Sequence, residues 1–214
     1  MTVPNALPLR ADAQRNLERI LVAAREAFAE GGLDVGVEEI ARRAGVGKAT
    51  FFRRFPTKEA LVVAVYEGFV EEVVAAVDAA LAEHPDEPLG PLRAFLQHSM
   101  LTQAGNKAFF EAVATRFVPP VALTDRVMAA VERVMEPARA AGALRPGVEP
   151  GDISTATKML GAAIRPMEGV LLCEEAWGRY LDVVLSGLTA GDRPLPGVAA
   201  DPCTMVREFS AKTA

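Results

Sequence analysis

Two short stretches with helical periodicity, joined by a glycine, constrain the fold of this 214-residue chain more than any other feature. The apolar residues of the first stretch share one face of a helix: Val37, Ile40, Ala41 and Ala44. Gly45 ends that helix, because a tight turn with positive φ suits glycine. A second short helix is predicted over 48–54, and it ends before Pro56. Two short helices around a glycine turn are typical of a helix-turn-helix.

The same segment carries an island of positive charge. Residues 41–58 contain six basic side chains and no acidic one, although the whole chain has a formal net charge of -5. Lys and Arg side chains neutralise phosphates and release counterions, which supplies most of the non-specific affinity for nucleic acid. A helix-turn-helix places its second helix in the DNA major groove. The segment therefore predicts double-stranded DNA as a partner.

Helical periodicity continues through the rest of the chain, and we find no alternating strand pattern of useful length. Beyond the two short helices, the predicted helical segments are 11–30, 58–83, 89–104, 106–117, 119–141, 150–172 and 174–190. Prolines predict a flexible arm at 1–10 and a mostly irregular tail at 191–214. We therefore predict an all-α fold of about nine helices.

Composition argues against several classes of protein. No apolar run approaches the length of a bilayer span, and the first residues lack a signal-peptide pattern, so we expect a cytoplasmic protein. Cys173 and Cys203 are expected to be reduced thiols. With two histidines and no CxxC, we expect no metal and no cofactor. The sequence has no G-x-S-x-G elbow and no P-loop, so an enzyme is not expected.

Residues 11–68 resemble the N-terminal domain of the tetracycline-repressor (TetR) family of bacterial regulators. The residues that carry the resemblance are Ile20, Ala24, Phe28, Gly31-Gly32, 37–41, 44–46, 50–55 and 58–61. The runs 144–154 and 174–188 are similar to the C-terminal half of one branch of this family. The resemblance implies an N-terminal three-helix DNA-binding domain at 11–56, followed by a larger helical ligand-binding and dimerisation domain at 57–190.

The resemblance also implies roles for individual residues in DNA binding. Lys48, Ala49 and Thr50 lie at the front of the recognition helix, where bases and nearby phosphates are contacted. Arg53 and Arg54 follow on the same helix, and Lys58 occupies the position of a familiar phosphate contact. Phe52 stands where the family usually has a tyrosine whose hydroxyl reaches a phosphate. Phenylalanine cannot donate that bond, although its ring can stack against sugar.

A ligand pocket in the larger domain is also implied, and aromatic and Met residues among a few polar ones suit a mostly apolar small molecule. The candidate lining residues are Phe95, His98, Met100, Gln103, Phe109, Phe110, Arg116, Phe117 and Met128. Simple core packing is the alternative for each of them. For the last two helices the resemblance implies pairing with a second subunit in a four-helix interface. The candidate interface residues are Ile153, Met159, Leu160, Trp177, Leu181, Val184, Leu185 and Leu188. The alternative is that these stripes pack within the chain.

The main hypothesis is a ligand-responsive, homodimeric DNA-binding regulator, with repression as its mode of action. The second hypothesis is a small-molecule-binding helical protein without DNA binding. The third is a small helical enzyme. Salt-sensitive DNA binding separates the first hypothesis from the other two, and substrate turnover would single out the third.

Overall fold

The structure is a computed structural model, and it describes residues 6–163, 174–189, 191–197 and 199. Over these residues the chain forms nine α-helices and one short 3-10 helix, with no strand. The helices are α1 (Ala6–Gly31), α2 (Val37–Arg43), α3 (Lys48–Arg54), α4 (Lys58–Glu83), α5 (Gly90–Gly105), α6 (Lys107–Arg116), α7 (Val121–Ala140), α8 (Pro150–Ala163) and α9 (Glu174–Thr189), with the 3-10 helix at Gly32–Asp34. The predicted all-α fold is confirmed.

The start of α1 differs most from the sequence-based prediction. The helix begins at Ala6, whereas Pro8 had suggested an irregular arm up to residue 10. Proline is tolerated in the first turn of a helix, because the N–H groups of that turn have no intrahelical acceptor. Cys173 and Cys203 lie outside the described residues, as does most of the predicted tail.

The chain divides into two compact units. The first contains residues 1–68 and 108–117, and the second contains residues 69–107 and 118–214. The helix α6 therefore belongs to the first unit, together with α1, α2, α3 and the beginning of α4. The functional domain boundaries drawn from the sequence stay a prediction, and the units are described here one at a time.

The core of the first unit forms around the apolar face of α1. Ile20, Ala24 and Phe28 recur at helical spacing along that face and are fully buried. The ring of Phe28 stacks on that of Phe109 from α6, with ring centroids 5.9 Å apart. Gly32 follows α1 with φ +58°, and a Cβ there would lie 3.1 Å from the carbonyl oxygen of Ala108. Glycine therefore allows α6 to approach the end of α1.

The second unit is built on α5, α7, α8 and α9 together with the later part of α4. Its buried apolar cluster contains Val77, Leu92, Phe95, Leu96, Met100, Ala130, Val131, Val134, Met135, Val148, Ile153, Leu160, Leu181, Leu185 and Leu188. The helices α5 and α8 approach closely at Gly161, where a Cβ would lie 2.8 Å from the Cβ of Gln103. Among the described residues of the tail, 191–197 form no helix, and Leu195 packs against this cluster.

Two exposed ion pairs join α4 to α7 within the second unit. Arg126 binds Glu71 at 2.7 Å, and Arg133 binds Asp78 at 2.5 Å. The partners are spaced seven residues apart on both helices and in the same order, so α4 and α7 run in the same direction.

In the part of the chain that the structure describes, no helix combines the length and apolar character needed to cross a bilayer.

Candidate nucleic-acid interface

The turn between α2 and α3 is formed by backbone hydrogen bonds around Gly45, whose φ of +61° lies in the region that favours glycine. Its N–H donates to the carbonyl of Arg42 over 3.1 Å, and the N–H of Val46 donates to the carbonyl of Ala41 over 3.0 Å. The guanidinium of Arg19 donates to the carbonyl oxygen of Gly45 over 3.2 Å and so ties the turn to α1. The predicted helix-turn-helix and its glycine turn are confirmed.

The recognition helix α3 has one buried and one exposed face. Phe51 and Phe55 are buried, and their rings hold α3 against the first unit. Gly47 precedes the helix with an extended backbone and no side-chain cap. The remaining face is open to solvent: Lys48, Ala49, Phe52, Arg53 and Arg54 are exposed, and Thr50 is half-buried. The side chains predicted to contact DNA thus lie on the accessible side of α3.

The first turn of α4 adds a further cation to this region. Thr57 accepts a hydrogen bond at Oγ1 from the N–H of Ala60 over 3.2 Å and so acts as the N-cap of α4. Lys58 is half-buried, and its Nζ donates to the carbonyl oxygen of Leu33 over 2.5 Å. An ammonium has three donors, so this bond leaves two for an incoming phosphate. We refer to the six basic side chains of residues 41–58 as the basic surface: Arg42, Arg43, Lys48, Arg53, Arg54 and Lys58.

Acidic side chains from just upstream fold back onto the basic surface, a feature that the sequence analysis missed. Glu39 accepts hydrogen bonds from both Arg42 and Arg43 at 2.7–2.8 Å, and these bonds lower its pKa from 4.5 to about 2. Arg43 also pairs with Glu30 at 2.8 Å. The spacing of Glu39 from the two arginines, three and four residues, is the signal that could have revealed its pairs.

A further pair crosses the turn. Glu38 accepts a hydrogen bond from Nζ of Lys48 over 2.8 Å, and this contact lowers the pKa of Glu38. Helical spacing could not reveal this pair, because the two residues lie on different helices. Within the described part of the chain, neither Arg53 nor Arg54 has a carboxylate within ion-pair distance. Three cations of the basic surface are thus held by acidic side chains, and the two arginines of α3 are not.

The comparisons with known proteins agree with this geometry. The family profile described as "Bacterial regulatory proteins, tetR family" matches residues 20–65. A crystal structure of a TetR transcription regulatory protein from Mycobacterium vanbaalenii is 31% identical and has a TM-score of 0.61, and the match covers 86% of this chain and 100% of that one. The chain belongs to the TetR family.

Other TetR-family comparisons extend and limit this result. A TetR transcriptional regulator from Streptomyces coelicolor is 33% identical with a TM-score of 0.59, and the match covers 80% of this chain and 97% of that one. The HTH-type transcriptional activator FasR from Mycolicibacterium smegmatis is 38% identical over 69 residues. That match spans only 32% of either protein, so the chain spans about a third of the length of this curated relative.

The nine candidate pocket residues of this TetR-family chain divide between its two units. Four of them lie in the first unit. Phe109 is buried against Phe28, and Phe110 lies edge-on to Phe109. Phe117 lies near Tyr66, and Arg116 binds Asp34 through two hydrogen bonds of 2.6 and 3.1 Å. In the second unit, Phe95 and Met100 are buried, Met128 and Gln103 are partly buried, and His98 is exposed. That these residues line a pocket stays a prediction.

Most of the predicted interface residues are used inside the chain itself. Five of the eight are buried in the core of the second unit: Ile153, Leu160, Leu181, Leu185 and Leu188. That these five residues meet a second subunit stays a prediction, although within the single chain their side chains are almost fully covered. Trp177 and Val184 are half-buried, and Met159 is 63% exposed.

The outward side of α8 and α9 also exposes large apolar side chains. Tyr180 is 50% exposed and Val183 is 62% exposed, and Val183 was absent from the predicted interface residues. An open groove runs along α9, lined by Gly178, Arg179, Asp182, Val183 and Ser186.

Among the described residues, no group of three His, Cys, Asp or Glu side chains is placed to hold a metal ion.

Proposed function

We propose that this chain is a ligand-responsive, homodimeric DNA-binding transcriptional regulator, and that it acts as a repressor released from a palindromic operator by a small, mostly apolar molecule. The observation that carries the proposal is the exposed face of α3. It presents Arg53 and Arg54 without acidic partners among the described residues, on a helix held by a helix-turn-helix. That arrangement suits a helix that enters the major groove between two phosphate backbones.

The roles of the site residues follow from their positions on the surface. Lys48, Ala49 and Thr50 form the first turn of α3, the part of a recognition helix that meets base edges. Arg53 and Arg54 in its last turn, and Lys58 at the start of α4, contact phosphates. Phe52 is exposed beside them and packs against sugar, since it has no hydroxyl to donate.

A second copy of the chain is the partner that the outer side of α8 and α9 fits. Met159, Tyr180 and Val183 are large apolar side chains that remain at least half exposed. Two-fold pairing would place each of these side chains against the same surface of the other copy. It would also set two recognition helices about 34–36 Å apart, one turn of DNA, and so match a palindromic operator.

The effector is proposed to bind in the second unit, near α5 and α7. Ser99 on α5 and Thr124 on α7 are buried, and neither hydroxyl has a hydrogen-bond partner among the residues that the structure describes. A buried hydroxyl without a partner costs about 1–3 kcal/mol. Near Ser99 on α5, Met100 follows directly and Phe95 lies one turn earlier, and both are buried and apolar. These features favour an apolar molecule with a hydrogen-bonding group. Such a ligand would release DNA by favouring a conformation with the wrong half-site spacing.

The test is a DNA-binding titration on a site selected from random duplexes. Wild-type protein should bind the selected site, with an affinity that falls as salt rises, because phosphate contacts release counterions. Arg53→Gln and Arg54→Gln should each weaken binding and lower the salt slope by about one. Arg133→Gln, which loses the same charge in the second unit, is the matched control and should bind as wild type does.

One alternative has specific support. Phe52 lacks the hydroxyl of the family's usual tyrosine, and acidic side chains cover half of the basic surface. Both features would suit a small-molecule-binding protein that does not bind DNA. Failure to select any duplex, together with equal behaviour of the Arg53→Gln and Arg133→Gln variants, would favour that alternative.

A further inference from the structure

The ion pair between Glu38 and Lys48 lies on the surface that the proposed function assigns to DNA. Nζ of Lys48 is 2.8 Å from Oε1 of Glu38, and both side chains are about two-thirds exposed. The same ammonium lies 5.9 Å from the centre of the Phe52 ring. Glu38 belongs to α2 and Lys48 to α3, so the contact crosses the turn of the helix-turn-helix.

A carboxylate and a phosphate compete for the same ammonium. Coulomb attraction holds Lys48 to Glu38 in the free protein, and the lowered pKa of Glu38 means that its carboxylate stays charged at neutral pH. A phosphate that approaches Lys48 is therefore repelled by Glu38 over distances within the Debye length, about 8–10 Å at moderate salt. Glu38 behaves as a counterion that is built into the protein and is not released to solvent.

Lys48 is singled out among the cations of α3 by this contact. Arg53 and Arg54 have no carboxylate within ion-pair distance among the described residues. Arg42 and Arg43 do pair with acids, but they belong to α2, and their partner Glu39 is itself only about a third exposed. Glu38 should therefore affect DNA binding through Lys48 alone, which lies at the start of α3, the part of the helix that meets base edges.

We propose that Glu38 is a specificity-determining residue that withholds Lys48 from DNA of the wrong sequence. The inference rests on the proposed function, because it assumes that the exposed face of α3 meets DNA. On random DNA the Glu38–Lys48 pair stays closed, and the phosphates gain nothing from Lys48. On the operator, an acceptor on a base edge offers Lys48 a directed hydrogen bond, and the pair opens. The pair thus lowers non-specific affinity more than it lowers specific affinity.

The test compares wild type with Glu38→Gln on a random-sequence duplex, over a salt range of roughly 50–200 mM. Freeing one ammonium adds about one phosphate contact, so the slope of log affinity against log salt should steepen by about 0.9. Over that range, the gain in affinity of Glu38→Gln over wild type should grow about 3.5-fold as salt falls from 200 to 50 mM. On the selected operator the gain should be smaller, and the specificity ratio should fall.

Two controls separate this mechanism from a general charge effect. Glu87→Gln makes the same change of charge in the second unit and should leave the affinity unchanged. In a double-mutant cycle, Glu38→Gln in a Lys48→Gln background should have no effect, because the ammonium that it frees is absent. Both residues of the pair are exposed, and circular dichroism should show that each variant is folded.

Each other outcome contradicts the proposal in its own way. Unchanged affinity of Glu38→Gln on random DNA, beside normal salt-dependent binding by wild type, overturns the role of Glu38 and leaves the proposed function intact. Weaker binding would show that Glu38 itself contacts DNA. A gain that persists in the Lys48→Gln background would reduce Glu38 to a distant charge. If wild type and all variants fail to bind any duplex, the proposed function and this inference fall together.

Discussion

Exchanging valine for glutamate at position 183 should dissociate the proposed dimer without unfolding the chain. Val183 lies on α9 and is 62% exposed, so a charge there remains in water in the isolated chain. Glutamate also has a higher helix propensity than valine, which favours α9 itself. Two positions earlier, Leu181 is only 1% exposed, so the same charge there would be buried in the core of the second unit.

The expected magnitudes differ enough to distinguish the two positions. Full burial of a valine side chain stabilises by about 1.5–3 kcal/mol, so burying the part of Val183 that is exposed would contribute about 1–2 kcal/mol for each copy. Two-fold symmetry doubles this to about 2–4 kcal/mol, which corresponds to a dimer dissociation constant about 30-fold to 1,000-fold higher. Leu181→Glu removes a buried leucine, which alone costs about 2–5 kcal/mol, and also buries a charge.

Light scattering across a concentration series would measure the dimer, and thermal unfolding by circular dichroism would report the fold. Val183→Glu should give a folded monomer, whereas Leu181→Glu should give an unfolded or aggregated chain. Val22→Glu is the matched control, because Val22 is similarly exposed, at 58%, but lies on α1 in the first unit. A dimer that survives Val183→Glu, or one that Val22→Glu disrupts equally, would refute the assignment of this surface.

Four further substitutions test individual positions in the two units. Gly32→Ala should destabilise the first unit by about 1–2 kcal/mol in denaturant titrations, because its φ is +58°. Gly68→Ala should instead stabilise the chain by about 0.5–1 kcal/mol, because Gly68 lies inside α4 and a Cβ there would meet no described neighbour beyond its own helix within 4 Å. Gly161→Ala should cost about 1–3 kcal/mol, since its Cβ would meet that of Gln103 at 2.8 Å, and an unchanged melting temperature would contradict that contact. Glu39→Gln should be less stable than wild type at pH 7. Because the pKa of Glu39 is lowered from 4.5 to about 2, that difference should hold above pH 4.5 and shrink as pH falls toward 2, and a constant difference over that range would be inconsistent with the pairing.

Local features of the sequence predicted the helices well, because each boundary has a local cause. Gly45 adopts positive φ, Pro56 follows the end of α3, and Thr57 caps α4 with its hydroxyl. The start of α1 was misjudged for the opposite reason. Pro8 is compatible with a first turn as well as with an irregular arm, and the sequence alone does not decide between them.

Tertiary choices were harder to predict, because periodicity shows that a face is apolar but not what covers it. In α9 the apolar residues occupy two faces, and the structure buries Leu181 and Leu185 while Tyr180 and Val183 stay exposed. The same limit applies to α6, where Phe109 resembled a pocket residue. Its ring stacks on Phe28, a contact between residues far apart in the chain that no local pattern reveals.

The placement of α6 bears on how an effector could control DNA binding. The chain leaves the second unit after Lys107, forms α6 in the first unit, and returns to the second unit at Val118. Within the first unit, α6 is held at Phe109 by the ring of Phe28 and at Arg116 by the two hydrogen bonds to Asp34. A ligand that shifts α5 or α7 must therefore either move α6 or strain its connections. Within the first unit, α6 packs on α1 through Phe109 and Phe28, and Arg19 of α1 donates to the carbonyl oxygen of Gly45. We therefore expect a movement of α6 to reach the turn before α3 through α1.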